Sequence, residues 1–253
     1  MKSTVEQIRQ RFDNEVERFS NLETGQSATI DAPLSLDLIS SAAVAVTPNA
    51  KDLLDIGCGA GNYTLKLIEK FETDRGLSAG SGANIEMNCL LVDLSQAMLD
   101  RAAQRVSSRT KGKVSTLQSD MRDAHFGEQT VDVVVAGATL HHLRTDVEWE
   151  AVFAKIFRAL RPGGCFWICD LVEHTSPSIQ SLFQQRYGDY LRALKGGGET
   201  GRKYRDEVFA YVAAEDTPKP LVYQLNLLQR VGFTDIEVLH KNVLFAAFGG
   251  SKP

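Results

Sequence analysis

Hydrophobic positions near the start of the chain fall three or four apart: Val5, Ile8, Phe12, Val16 and Phe19. That spacing predicts an amphipathic helix over residues 3–20. A polar stretch containing Gly25 follows, and Pro33 opens a second helix through Leu34, Leu38, Ile39 and Val46, closed by Pro48. From residue 51 the pattern changes. Short apolar runs predict strands at 51–56, 87–93, 113–118, 131–136 and 164–170, and the segments between them predict helices at 61–71, 95–107 and 146–160. Such alternation implies a mostly parallel sheet with helices on both faces.

Beyond residue 170 helical spacing returns. Ile179, Leu182, Phe183, Tyr187, Tyr190, Leu191 and Leu194 predict a long helix ending at Gly196-Gly197-Gly198, and a second helix is expected around 205–214. Thr217 and Pro218 suit the N-cap and first residue of a helix through Leu221, Leu225, Leu228 and Val231, stopped by Gly232. Two further apolar runs, 236–239 and 243–248, flank Lys241-Asn242, and so short a link makes them antiparallel. The expected organisation is an N-terminal helical lid at 1–50, a ligand-binding core at 51–170, a helical insertion or lid at 171–215, and a closing helix and hairpin at 216–253.

Composition narrows this only a little. A chain of 253 residues with 43% hydrophobic and 24% charged residues is ordinary for a globular α/β protein. The formal net charge of −4 gives no whole-molecule reason to expect a polyanion partner. No apolar stretch reaches the ~18 residues needed to span a bilayer, and Met1-Lys2-Ser3-Thr4-Val5-Glu6 lacks the apolar core of a secretion signal. A cytoplasmic protein is expected, as monomer or homodimer. Cys58, Cys89, Cys165 and Cys169 show no CxxC spacing, which predicts reduced, buried thiols and no structural metal.

The chemistry concentrates at Asp55-Ile56-Gly57-Cys58-Gly59-Ala60-Gly61, where the apolar pair Leu53-Leu54 ends in an acid and alternate glycines lead into a helix. Glycines there let backbone N–H groups approach a ligand. The acid repels a pyrophosphate but attracts the ammonium of an amino acid, which points away from dinucleotides and toward S-adenosylmethionine. Asn62 also stands where a dinucleotide motif has its third glycine. The gap from Gly61 to Asp93 is 32 residues, longer than the usual ~20, and the Gly/Ser-rich segment Gly76–Gly82 accounts for the excess as a surface loop.

Five segments in order resemble class I S-adenosylmethionine-dependent methyltransferases: Leu54–Gly61, Leu91–Ser95 with Met98-Leu99, Ser119-Asp120-Met121, Val131–Gly137 with Leu140-His141-His142-Leu143, and Leu160–Phe166. They cover residues 51 to 170. The resemblance implies a Rossmann-like seven-stranded α/β sheet, mostly parallel with the last strand antiparallel, helices on both faces, and S-adenosyl-L-methionine as cofactor with S-adenosyl-L-homocysteine as product. It implies cofactor contacts from Asp55, Gly57, Cys58, Gly59, Asp93, Leu94, Met98, Asp120, Met121 and Gly137. Asp55 and the backbone at Gly57 would hold the methionine end, and Asp93 the ribose hydroxyls, since a carboxylate offers two acceptor oxygens. Asp120 would read the adenine amino group, with Leu94 and Met121 on the ring faces or simply in the core. Gly137 reads equally as a close approach to the cofactor or as a turn residue.

His141 and His142 lie at the carboxyl end of the fourth predicted strand, where open α/β sheets bind ligands. Either is a candidate base for an attacking hydroxyl or amine, His142 slightly preferred, and packing is the plainer reading of both. The acceptor is expected to be a small molecule attacked through oxygen or nitrogen. Arg186, Arg192, Lys195, Arg202, Lys203 and Arg205 gather positive charge in the insertion, as a solvated face or a site for an acidic group. The layout there faintly resembles tRNA wobble-uridine carboxymethyl transferases, which use carboxy-S-adenosylmethionine. Their Arg-Tyr pair is not reproduced in Arg202-Lys203-Tyr204-Arg205. A tRNA-modifying (carboxy)methyl transferase and a non-catalytic S-adenosylmethionine-binding module are the alternatives.

Overall fold

The computed structural model describes residues 2–21, 25–77 and 85–253. Seven strands, β1 (Asp52–Ile56), β2 (Asn88–Asp93), β3 (Val114–Gln118), β4 (Val131–Gly137), β5 (Leu160–Leu171), β6 (Thr234–Asn242) and β7 (Phe245–Ser251), form one sheet in the order β3-β2-β1-β4-β5-β7-β6. The first five run parallel, and β7 is antiparallel to both β5 and β6. The chain order reverses between β1 and β4, which opens a crevice at the carboxyl ends of those two strands. This is the sheet the motifs implied.

Central strands are apolar on both faces because helices cover both. On one side α3 (Ala32–Val46), α4 (Asn62–Asp74) and α5 (Gln96–Ser107) bury Ile39, Leu67, Phe71 and Leu99 against Leu53, Leu91 and Val133. On the other, α6 (Asp146–Ala159) and α9 (Leu221–Val231) bury Trp149, Phe153 and Leu228 against Leu54, Val134 and Phe166. Alternate residues of β1 and β4 thus go to opposite cores. All four cysteines are buried, unpaired thiols.

A third, smaller cluster ties the outer helices to the sheet end. α7 (Pro177–Leu194) and α8 (Gly198–Glu215) place Tyr187, Leu191 and Phe209 against Leu171 and Phe245. The predicted helix over 3–20 is broken at Glu15, whose backbone (φ −111°, ψ 16°) leaves the helical region, giving α1 (Val5–Asn14) and α2 (Val16–Ser20). α9 starts at Leu221 rather than Pro218. The Thr217 N–H is drawn to the His141 carbonyl (2.7 Å), the Glu173 N–H donates to the Lys219 carbonyl (3.3 Å), and Pro220 bridges Glu173, so residues 217–220 cannot wind. The hairpin turns at Val243-Leu244 instead of Lys241-Asn242, with Val243 at φ 50°, because β6 continues through Asn242 to pair with Phe245. Of the Gly/Ser-rich loop only Gly76 and Leu77 are described; residues 78–84 lie outside the described residues.

Candidate active site

The crevice at the sheet's switch point is a cavity of about 1080 Å³, floored by the ends of β1, β2, β4 and β5 and roofed by α1, α2 and α8. Eleven of the twelve residues expected from the sequence line it, all but Asp55. Gly57 forms the floor at φ +66°, and a Cβ there would stand 2.2 Å from Thr139 Oγ1. Only glycine is compatible with that turn. At Gly137 a Cβ would stand 2.4 Å from the Tyr63 ring, so this glycine makes room for an aromatic side chain of α4 as well as bordering the cavity.

Asp93 is poised as a double acceptor. Its Oδ1 accepts from the Ser95 N–H and its Oδ2 from the Gly59 N–H, both 2.9 Å, which fixes the carboxylate and leaves lone pairs toward the cavity. Burial raises its pKa to about 6 against those backbone donors. Leu94, Met98 and Met121 supply the apolar wall beside it. Asp120 also lines the cavity, but Arg122 grips both its oxygens, with Nε to Oδ1 at 2.8 Å. Burial opposes ionisation there, and the Arg122 bonds overcome it and hold the carboxyl below its ordinary value.

Asp55 does not line the cavity. It lies behind the glycine turn, 1% exposed, and its Oδ2 accepts from Thr64 Oγ1 at 2.7 Å. Burial lifts its pKa to about 7, opposed by the Thr64 bonds and aided by nearby Asp93. Its influence on a ligand would be a field through the turn and not a direct contact.

The histidines occupy a short 3₁₀ turn, Leu140–His142, after β4. Asp170, at the end of β5, accepts from the Leu140 N–H at 2.8 Å and bonds His141 Nδ1. Asp216, just past α8, stands 3.6 Å from His141 Nε2. Burial disfavours charge on His141, but Asp170 and Asp216 prevail and raise its pKa to about 9. The neighbouring ring is the opposite case. His142 is driven well below its ordinary value by burial, by His141 and by Arg11, and neither of its ring nitrogens has a hydrogen-bond partner. Two imidazoles pushed in opposite directions thus lie with ring centres 4.4 Å apart.

Sequence reasoning missed Asp170, Asp216 and Arg11, which create this contrast, and it also missed Gln26. Asp170 ends a buried strand in an acid, as Asp55 and Asp93 do, and that signal was available. Arg11 lies between the Phe12 and Tyr211 rings and bonds Glu215 (2.9 Å) and Tyr211 Oη (2.8 Å), fastening α1 to α8. Gln26 presents a buried Oε1 with no partner to the cavity. Among the described residues, His141, His142 and Asp216 form the one group whose ligand-type atoms lie close enough to share an ion, within 4.8 Å.

A fixed double acceptor, an apolar slot and a glycine turn that admits no Cβ suit the ribose, adenine and amino-acid parts of S-adenosylmethionine. Comparisons agree. The methyltransferase domain family matches residues 53–164. A carboxy-S-adenosyl-L-methionine synthase of Shewanella loihica is 27% identical over 80% of this chain and 76% of its own. A demethylmenaquinone methyltransferase of Lactococcus lactis is 25% identical over 73% of this chain and 66% of its own. The fold matches human N-acetylserotonin methyltransferase in complex with S-adenosylmethionine (TM-score 0.59, 14% identity, 99% of this chain and 59% of that one). It also matches mitomycin 7-O-methyltransferase (TM-score 0.60, 14% identity, 99% and 61%). Residues 53–164 thus match a methyltransferase domain, and S-adenosylmethionine-dependent methyltransferases share the fold. Among the described residues no helix is long and apolar enough to cross a membrane.

Proposed function

We propose that this enzyme transfers the methyl group of S-adenosylmethionine to an oxygen or nitrogen of a small-molecule acceptor, with His142 as the proton acceptor. The observation that carries the reading is the His142 ring itself: buried, neutral, without a partner, and facing the cavity that Asp93 and the glycine turn border. When bound, the cofactor supplies an electrophilic methyl on a sulfonium. Asp93 binds the ribose hydroxyls, Leu94, Met98 and Met121 border the adenine, and Asp120 accepts from its amino group. Asp55 favours the cofactor's ammonium from behind the turn. A neutral imidazole at the acceptor takes its proton as the new bond forms, an effect typically worth about 10²–10⁴-fold. Phe12, Phe19 and Tyr211 line the acceptor side and exclude water, while the walls hold the reactants in line, which can supply roughly 7–11 kcal/mol.

The cavity's depth beneath α1 and α8, together with the net charge of −4, supports a small acceptor over a tRNA. The test pairs two measurements. S-adenosylhomocysteine is expected to raise the thermal midpoint in a concentration-dependent way, whereas NAD is not. Methyl-tritiated S-adenosylmethionine presented with pooled hydroxyl- and amino-bearing metabolites is expected to label product, and His142→Ala to lower that rate about 10²–10⁴-fold without weakening S-adenosylhomocysteine binding. Unchanged turnover in His142→Ala would remove the base role.

A further inference from the structure

We propose that the acceptor atom is a hydroxyl oxygen, seated on a triangle formed by His141 Nε2, His142 Nδ1 and Asp216 Oδ1. The inference rests on the methyltransferase reading above and narrows it from oxygen or nitrogen to oxygen alone. Asp216 Oδ1 lies 3.6 Å from His141 Nε2 and 3.5 Å from His142 Nδ1. It hydrogen-bonds neither, and it is buried, with a side chain 3% exposed. His142 Nδ1 is likewise buried and unpartnered. These three polar atoms, all within 4.8 Å of one another, are too far apart to satisfy each other. They are close enough to share one small atom. An oxygen roughly 1.4 Å or more above their plane would sit about 2.8 Å from all three, the length of a good hydrogen bond.

The roles at the three corners follow from the residues around them. Asp170 accepts the Nδ1 proton of His141, and the two flanking carboxylates, Asp170 and Asp216, favour a second proton on Nε2, which makes His141 the donor corner. Asp216 is an acceptor. His142 has no carboxylate in bonding contact and offers an imidazole lone pair. One donor and two acceptors around one point are matched by a hydroxyl, which accepts from His141 and donates to Asp216 or His142. An ether has no proton for the two acceptors. A protonated amine has no lone pair for His141 and sets positive charge against positive charge, while a neutral alkyl amine spends its one lone pair on His141 and keeps none for the methyl carbon. An aromatic amine has its lone pair withdrawn into the ring and accepts weakly. His141, His142 and Asp216 all line the cavity beside Phe12, Tyr211 and Phe245, so the hydroxyl would be carried on an apolar or aromatic body.

Asp216 comes from the segment that follows α8, while the histidines follow β4, so the seat is complete only when that segment packs on the sheet. The Thr217 N–H to His141 carbonyl bond (2.7 Å) is the contact that brings them together.

Calorimetric titration of the S-adenosylhomocysteine-loaded enzyme with phenol, anisole and aniline tests the seat. Phenol is expected to bind at least tenfold more tightly than either analogue. In Asp216→Ala that preference is expected to fall below threefold, with S-adenosylhomocysteine affinity within twofold of the parent. Equal binding of the three fragments, no phenol binding, or a preference that survives Asp216→Ala overturns the proposal. If circular dichroism shows Asp216→Ala unfolded, the fragment series on the parent enzyme decides alone. Failure to bind S-adenosylhomocysteine would overturn the methyltransferase reading, whereas binding it with indifferent fragments overturns only the hydroxyl seat.

Discussion

Replacing Asp55 by Asn is expected to stabilise the ligand-free enzyme at pH 8 and not at pH 5. The carboxyl is 1% exposed and burial lifts its pKa from 3.8 to about 7. Between those two values the folded state holds a proton that the unfolded state has released, so stability falls as pH rises from about 4 to 7 and is level above. The full penalty is about 4 kcal/mol, and the part that develops between pH 5 and 8 is roughly 3 kcal/mol. Asn removes that part while keeping an oxygen for Thr64 Oγ1. Its amide nitrogen has a packing cost of its own, about 1–3 kcal/mol if left unpaired, but that cost is the same at both pH values and cancels in the comparison. Urea denaturation of parent and variant at pH 5 and pH 8, with equal slopes, measures the difference. The variant should gain roughly 3 kcal/mol on the parent between the two conditions. A gap that does not move with pH would show that the Asp55 charge is already compensated, and the reasoning fails. If the carboxylate favours the ligand's positive charge as proposed, the same substitution is expected to weaken S-adenosylmethionine binding.

Other consequences are open to measurement. His141 is raised from 6.5 to about 9, so the stability it contributes is fully present below pH 6.5 and is lost as pH rises through 9. That loss is roughly 3 kcal/mol in the parent and should vanish in His141→Gln, as read by chemical denaturation at pH 6 and pH 9.5. Gly137→Ala drives a methyl into the Tyr63 ring and is expected to cost about 1–3 kcal/mol; no change in the denaturation midpoint would contradict that packing. Trp149→Ala empties a fully buried site against Phe153 and Tyr223 and should cost about 3–5 kcal/mol. Arg11→Leu leaves Glu215 buried without its ion-pair partner. It is expected to speed amide exchange in α1 and the end of α8, and the double variant with Glu215→Gln should recover part of the loss, whereas unchanged exchange in α1 would mean that Arg11 does not fasten it.

The central parallel strands β1, β2 and β4 were legible because they are apolar runs that end near glycine or an acid. Burial on both faces produces that pattern, whereas the edge strand β3 is mixed and partly exposed. Asp93 was legible for the same reason: an acid at the end of such a run has nowhere to go but the crevice. Asp170 carries that signal as well, yet it lies past the last glycine motif and was passed over. Asp216 and Gln26 had no local signal. An acid after a helix and an amide in a polar stretch become site residues only when distant segments pack, through bonds such as Thr217 to His141. The misplaced start of α9 has a similar origin. Thr217-Pro218 is a good helix opening by local chemistry, and a tertiary hydrogen bond to the histidine turn overrides it. Asp55 was found but its place was misjudged, since sequence spacing cannot separate a residue on the cavity wall from one immediately behind it.

The stitching of α1 across the cavity has a kinetic consequence. Ser3 donates to the Ala214 carbonyl at 2.9 Å, Arg11 pairs with Glu215, and Asn62 holds the Phe19 carbonyl at 2.9 Å. These bonds join α1 and α2 to the end of α8 and to the glycine turn across the cavity. If they must open for the nucleoside to exchange, turnover would show a rapid first round of product followed by a slower steady rate. Loosening the stitches would quicken that steady rate and leave the first round as it was, until the roof no longer kept water out.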